Sequence, residues 1–253
     1  MVAAAGPAIL ARLGLTLDVV GGADALACTA SSDVILNRVT GLGVEAPARQ
    51  EDVAALMALY RSRGVARWVV HVAPFAAPPA LDAWLAGAGF TPFRRAWMKF
   101  ALAIGRAPAA VPAMNGLALR EIGAADGDAF AALVGRVFDM SATASLFAAL
   151  PGRAGWHAWI AHDGDTPAAT GAMYAADGDA WFGFGACDPA YRGRGAQTTL
   201  LAARVRRAAE LGLRGCFTET GEAVPGEPQT SYRNIERAGF EPFYRRPNLL
   251  APA

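Results

Sequence analysis

The chain has 253 residues, 54% of them hydrophobic and 18% charged, which excludes a disordered polymer and suits two packed domains of roughly 100 to 150 residues each. Its formal net charge is +1 with acidic and basic residues interspersed, so no chain-wide field recruits nucleic acid or an anionic membrane. Cys28, Cys187 and Cys216 are odd in number and far apart, and His71, His157 and His162 lack ligand spacing; the pattern argues against a disulfide framework and a metal site and fits a reducing cytoplasm.

Residues 1–15, MVAAAGPAILARLGL, carry Pro7 and Arg12 inside an apolar run and no basic leader, so a secretion signal is not expected, and no run is long enough to span a bilayer. Residues 34–39 read as a strand, 52–63 as a helix, 68–72 as a strand and 79–86 as a helix. That helix runs into AGFTPFRR at 88–95. Nearly the same phrase, AGFEPFYRR, recurs at 238–246; six of eight aligned positions agree, although Phe and Pro number only 12 and 16 in the chain. Such a repeat implies two copies of one module. The stretch 104–116, IGRAPAAVPAMNG, is rich in Pro, Gly and Ala without periodicity, which places a linker there between domains at 1–105 and 116–253.

In the second half Leu117, Leu119 and Ile122 alternate as a strand does, and Asp126 precedes a helical pattern through Phe130, Leu133, Val137 and Phe138. HDGD at 162–165 and ADGD at 176–179 separate the apolar runs 156–161, 168–174 and 180–187. Asp-Gly between such runs is a strong hairpin signal, so an antiparallel meander is expected. Leu201, Val205 and Ala208 then share one face of a helix, with Arg204, Arg207 and Glu210 expected on others. A strand at 215–220, a helix at 230–238 and a strand from 240 to 244 follow. Both copies of the repeated phrase occupy the step from the last helix into the final strand.

Between the third meander strand and its helix lies DPAYRGRGAQ, residues 188–197. Gly193 and Gly195 let the backbone approach a ligand closely, and the amides of Arg192 to Gln197 face outward at a helix start, a nest for phosphate. Arg192 and Arg194 add charge-assisted contacts suited to a pyrophosphate. Neither GxGxxG nor GxxxxGK[ST] occurs, which argues against dinucleotide and Walker-type sites. Shifted back by the repeat length, the loop falls on LGVEAP at 42–47, which has neither the glycine pair nor an arginine. One cradle per chain is therefore expected, the first half shaping the acceptor pocket with 72–78 (VAPFAAP) as a wall.

Residues 117–250 resemble the GNAT superfamily of acyl-CoA-dependent N-acetyltransferases. The signature of that family, [RQ]xxGx[GA] after a strand with a Pro three residues ahead, is matched by Pro189, Arg192, Gly193 and Gly195, with Gln197 where Gly or Ala is usual. A Gly-Phe step, Gly239 and Phe240, precedes the last strand. The resemblance implies an α+β (mixed α/β) fold of two GNAT-like modules, each a mainly antiparallel, twisted mixed sheet flanked by helices, the N-terminal one degenerate and without a pyrophosphate loop.

It further implies acetyl-CoA as co-substrate, no metal, and a pyrophosphate wrapped by Arg192, Gly193, Arg194, Gly195, Ala196 and Gln197. The backbone of Gly185, Ala186 and Cys187 would pair with the pantetheine arm and hold the thioester carbonyl as an oxyanion hole, and Asn234 could hydrogen-bond the cofactor. A primary amine, on a small molecule or at a protein N-terminus or side chain, would attack the thioester directly, with Glu219 accepting its proton. Where the family often has a tyrosine to protonate the leaving thiolate this chain has Ile235, leaving Tyr232 or Tyr244 for that role. Cys187, with no histidine tied to it, is not expected to be a nucleophile. A cytoplasmic monomer or homodimer is expected, with no nucleic acid or membrane partner. The alternative reading is a non-catalytic CoA-binding or regulatory module.

Overall fold

The computed structural model describes residues 1–106 and 113–252; residues 107–112 of the expected linker lie outside the described residues. Along the chain the elements are α1 (Val2–Ala5), α2 (Pro7–Leu13), β1 (Leu15–Val20), β2 (Ala23–Cys28), β3 (Arg38–Thr40), α3 (Gln50–Ser62), β4 (Val69–His71), α4 (Leu81–Gly87), β5 (Thr91–Pro92) and β6 (Trp97–Ala103). Then follow β7 (Ala118–Ile122), α5 (Gly127–Phe138), α6 (Ala144–Ala148), β8 (Trp156–Asp163), β9 (Thr166–Ala176), β10 (Asp179–Cys187), α7 (Ala196–Glu210), β11 (Gly215–Gly221), α8 (Thr230–Arg237), β12 (Glu241–Arg246) and β13 (Asn248–Leu250).

The meander forms as its turn chemistry requires. Asp177 and Gly178 both take positive φ (53° and 85°), the conformation that lets a two-residue turn join the right-twisted β9 and β10. One expected strand is shorter than its apolar run. Residues 34–37 form a turn because Asp33 offers the backbone a competing acceptor: its Oδ1 takes the Ile35 N–H at 2.8 Å, and its carbonyl takes those of Leu36 and Asn37. Pairing therefore begins only at Arg38.

Among the described residues the strands make two mixed sheets, β1-β2-β3-β4-β13-β5 and β12-β6-β11-β10-β9-β8-β7. Each contains a parallel pair joined through a helix, β3 with β4 and β10 with β11. Neither sheet is built from one continuous stretch of sequence: β6 belongs to the second and β13 to the first. The compact units are interleaved accordingly. The first comprises Gly6–Trp97 with Tyr244–Ala253, the second Met98–Phe243, and the first five residues divide between them. The first is packed around Leu56, Tyr60, Trp68, Leu85 and Phe90, the second around Phe100, Phe182, Leu200, Val205 and Phe240. No helix among the described residues is long and apolar enough to cross a membrane.

The AGF part of the repeated phrase closes its helix in the same way in both places, while the strand that follows is two residues long in the first copy and six in the second. Gly89 and Gly239, at φ 89° and 90°, end α4 and α8 in the left-handed conformation. Phe90 N–H donates to Leu85 O at 3.0 Å and Phe240 N–H to Ile235 O at 3.3 Å, each closing a helix C-terminus by the same six-residue loop. Each phenylalanine then drops into the core of its own unit.

Candidate active site

The site begins where β10 and β11 part. Their parallel register holds for Asp179↔Gly215, Ala180↔Cys216 and Trp181↔Phe217 and then ends, although β10 runs on to Cys187 and β11 to Gly221. Thr218 Oγ1, donating to Phe182 O at 3.2 Å, links the two strands just past that register. On its other side β10 keeps β9, with a bulge between Gly183 and Ala186 at which Phe184 takes φ 53°. Only Phe184 and Gly185 fall outside the register, and side chains reach the carbonyls at and around the bulge: Thr170 Oγ1 donates to Phe184 O at 2.9 Å, while Arg204 Nη1 at 3.3 Å and Gln197 Nε2 at 3.0 Å donate to the carbonyls of the flanking paired residues Gly183 and Ala186.

Beyond β10 the chain turns at Asp188, whose Oδ1 accepts the Ala190 N–H at 3.0 Å and whose Oδ2 meets Arg136 at 2.8 Å; these contacts, the backbone one first, hold its carboxyl below the usual range. Gly193 and Gly195 follow at φ 79° and 84°, and Gly195 caps α7. Among the described residues no acceptor is paired with the backbone N–H groups of Gly193 through Thr198, and the first turn of α7 carries no acidic side chain. Consecutive free amides at a helix N-terminus form an anion nest.

No protein-family model and no curated protein matches the chain. Solved structures do. A GCN5-related N-acetyltransferase from Kribbella flavida superposes with a TM-score of 0.65 at 23% identity, over 100% of this chain and 95% of that one. One from Sphaerobacter thermophilus gives 0.65 at 18% identity over 80% and 68%, and a tandem GNAT protein from the clavulanic acid biosynthesis pathway gives 0.63 at 21% over 85% and 75%. The chain has the GNAT fold.

Within that fold the expected loop residues divide. Arg192 is exposed; its backbone N–H donates to Pro189 O at 3.4 Å, and its side chain has no hydrogen bond or ion pair among the described residues. Arg194 is engaged: its guanidinium binds Asn115 O, Gly116 O and Asp163 Oδ2 at 2.8, 2.8 and 2.7 Å and lies over the Tyr191 ring. It therefore ties the loop to the 115–116 segment and the β8–β9 turn. Gln197 departs from the GNAT signature and has a consequence to match, since its side chain lies against Gly185 and occupies the Ala186 carbonyl on β10. Cys187 is half-buried, and burial pushes its thiol up, so it stays protonated and is a poor nucleophile.

Glu219 lies on β11 beyond the last paired residue and is ion-paired with Lys99 of β6, both side chains mostly shielded. Lys99 is the only lysine among 23 basic residues, and the sequence reading missed it because its strand lies in the other half of the chain. Tyr232, in the first turn of α8, sets its ring edge-on to Phe100 of β6 at 4.9 Å. Ile235 is core, held by the α8 C-terminal loop with Phe240. Asn234 Oδ1 accepts from Arg237 at 3.2 Å. Tyr244 belongs to the first unit, edge-on to Phe75 at 5.2 Å.

Proposed function

We propose that this chain is an N-acetyltransferase that moves an acetyl group from acetyl-CoA to a primary amine. One observation carries the reading: the unpartnered amides of residues 193–198 adjoin a β10 edge that β11 has left. A diphosphate matches the first, and the amide groups of a pantetheine arm match the second as an added strand would. The likeness to N-acetyltransferase structures supports the same reading.

The amine nitrogen attacks the thioester carbonyl carbon, a C–N bond forms and the C–S bond breaks. The transient oxyanion meets backbone N–H groups of Gly185, Ala186 and Cys187, the amine proton passes to Glu219 directly or through water, and the departing thiolate takes a proton from Tyr232. Burial, and then Glu236, pushes the Tyr232 hydroxyl up, which keeps it protonated at neutral pH. The acceptor is a small-molecule amine or a protein N-terminal or side-chain amine.

The Gln197 contact on Ala186 O and the buried Ile235 favour a second reading, a module that binds CoA without turning it over. Calorimetry with acetyl-CoA, followed by thiol release on a panel of amines, separates the two. Saturable, amine-dependent thiol release supports the transferase. Binding without release on any amine leaves the binding module, and absence of binding overturns both.

A further inference from the structure

Arg204 is expected at a helix surface, yet it is 2% exposed and forms no ion pair among the described residues. Its Nε donates to Leu200 O at 2.9 Å, its Nη1 to Ala172 O and Gly183 O at 3.3 Å each, and its Cζ lies 5.0 Å above the Phe182 ring. Gly171 makes room for it: a Cβ there would come within 3.1 Å of Cζ. Burial lowers its pKa to about 10, so it remains charged at neutral pH. A cation buried without a carboxylate destabilises the fold compared with an apolar side chain of its size, so core packing does not explain it. Its acceptors do, because Gly183 begins the bulge and the next carbonyl, that of Phe184, is held by Thr170, which is fully buried.

In a trans peptide the C=O of one residue and the N–H of the next point in opposite directions. Thr170 lies on β9, so the Phe184 carbonyl points toward β9 and the Gly185 N–H points to the side β11 has vacated. The Gly183 carbonyl is drawn toward Arg204 and Ala172, and the Phe184 N–H is turned away from them by the same geometry. We propose that Arg204 and Thr170 are positioning residues that aim the Phe184 and Gly185 amides at the unpaired edge of β10, where those amides receive the thioester carbonyl of the substrate. The proposal rests on the acetyl-CoA reading and adds Phe184 N–H to the groups that meet the substrate.

The test compares wild type with Arg204→Met, Arg204→Lys and Thr170→Val by thermal unfolding, by NMR and hydrogen exchange of the Phe184 and Gly185 amides without ligand, and by acetyl-CoA affinity and kcat. Arg204→Met is expected to melt no lower than wild type, since an apolar residue of similar length removes the desolvation penalty. Its two amide signals should nevertheless shift and exchange faster, with kcat down about a hundredfold and affinity about tenfold, the scale of losing an oxyanion donor. Arg204→Lys should recover part of both. Thr170→Val should shift the Gly185 amide and lower kcat about tenfold at nearly unchanged melting temperature.

Wild-type amide signals and kcat in folded Arg204→Met or Thr170→Val overturn the proposal; if Arg204→Met does not fold, Thr170→Val decides alone. A wild type that binds no acetyl-CoA removes the substrate reading, while the amide signals of the unliganded variants still decide whether these residues position the bulge.

Discussion

The parallel pair β10/β11 in the second unit and the pair β3/β4 in the first stand at the same topological step, strand, helix, strand, but only one is left open. Between β3 and α3 the loop is closed by its own chain: Ala77 N–H donates to Gly43 O and Ala48 N–H to Ala77 O, both at 2.8 Å, so one residue of the segment after β4 is paired across it. The next amide is also taken, Arg49 N–H donating to Asp52 Oδ2 at 2.8 Å, and Glu51 and Asp52 place negative charge in the first turn of α3. Among the described residues the counterpart before α7 leaves the amides of 193–198 without acceptors, and the first turn of α7 carries no acid. Two copies of one plan thus differ in the turn that leads into the helix, closed from within and followed by two acids in one case and unpaired in the other, and negative side chains at a helix N-terminus disfavour a bound anion there. The segment expected to wall the acceptor pocket, 72–78, spends Ala77 on this closure.

The largest expected effect falls on the open loop. Gly195→Val forces a branched side chain into a left-handed position and should weaken acetyl-CoA binding by about a hundredfold or more, measured by calorimetry. Wild type should bind one equivalent, and two equivalent sites would break the comparison. On the closed loop, Gly43→Ala sets a Cβ 2.5 Å from Ala77 O at φ 74°, so it should destabilise the chain by about 2–3 kcal/mol in denaturant titrations while leaving acetyl-CoA affinity unchanged.

Smaller effects sharpen the same contrast. Gln197→Ala releases the Ala186 carbonyl and should tighten acetyl-CoA binding by about threefold to tenfold, the scale of one net hydrogen bond. Weaker binding would show instead that the glutamine itself meets the substrate. Asp52→Asn should cost about 1 kcal/mol at pH 7 by weakening the α3 cap. Hydrogen bonding from the Arg49 side chain depresses the folded pKa of Asp52, so this stability is present above the unfolded value and is lost as pH falls through the folded one. The difference from wild type should therefore shrink below roughly pH 4 in urea titrations.

Much of this was legible in advance because it is local. The AGF phrase states a helix C-terminus in three residues, and both copies close alike; the Asp-Gly pairs state the meander turns; Gly193 and Gly195 state where positive φ is needed. Arg194 and Arg204 were not legible. A sequence period puts a charged residue on a helix face but does not say whether carbonyls or carboxylates wait there, and here three carbonyls bury Arg204 while Asn115, Gly116 and Asp163 take Arg194.

By itself the amino-acid sequence determined the two AGF helix ends, the Asp-Gly turns of the meander and the positive-φ glycines of the glycine-arginine loop, since each is set by φ preferences and hydrogen bonds within a few residues. Only the tertiary structure decided that β6 and β13 cross between sheets, that β11 leaves β10 after Phe217, and that one loop is closed by Ala77. Those outcomes depend on which of several chemically equivalent backbone partners a strand or loop meets. That choice is made by packing between segments far apart in the chain, where no local pattern records it.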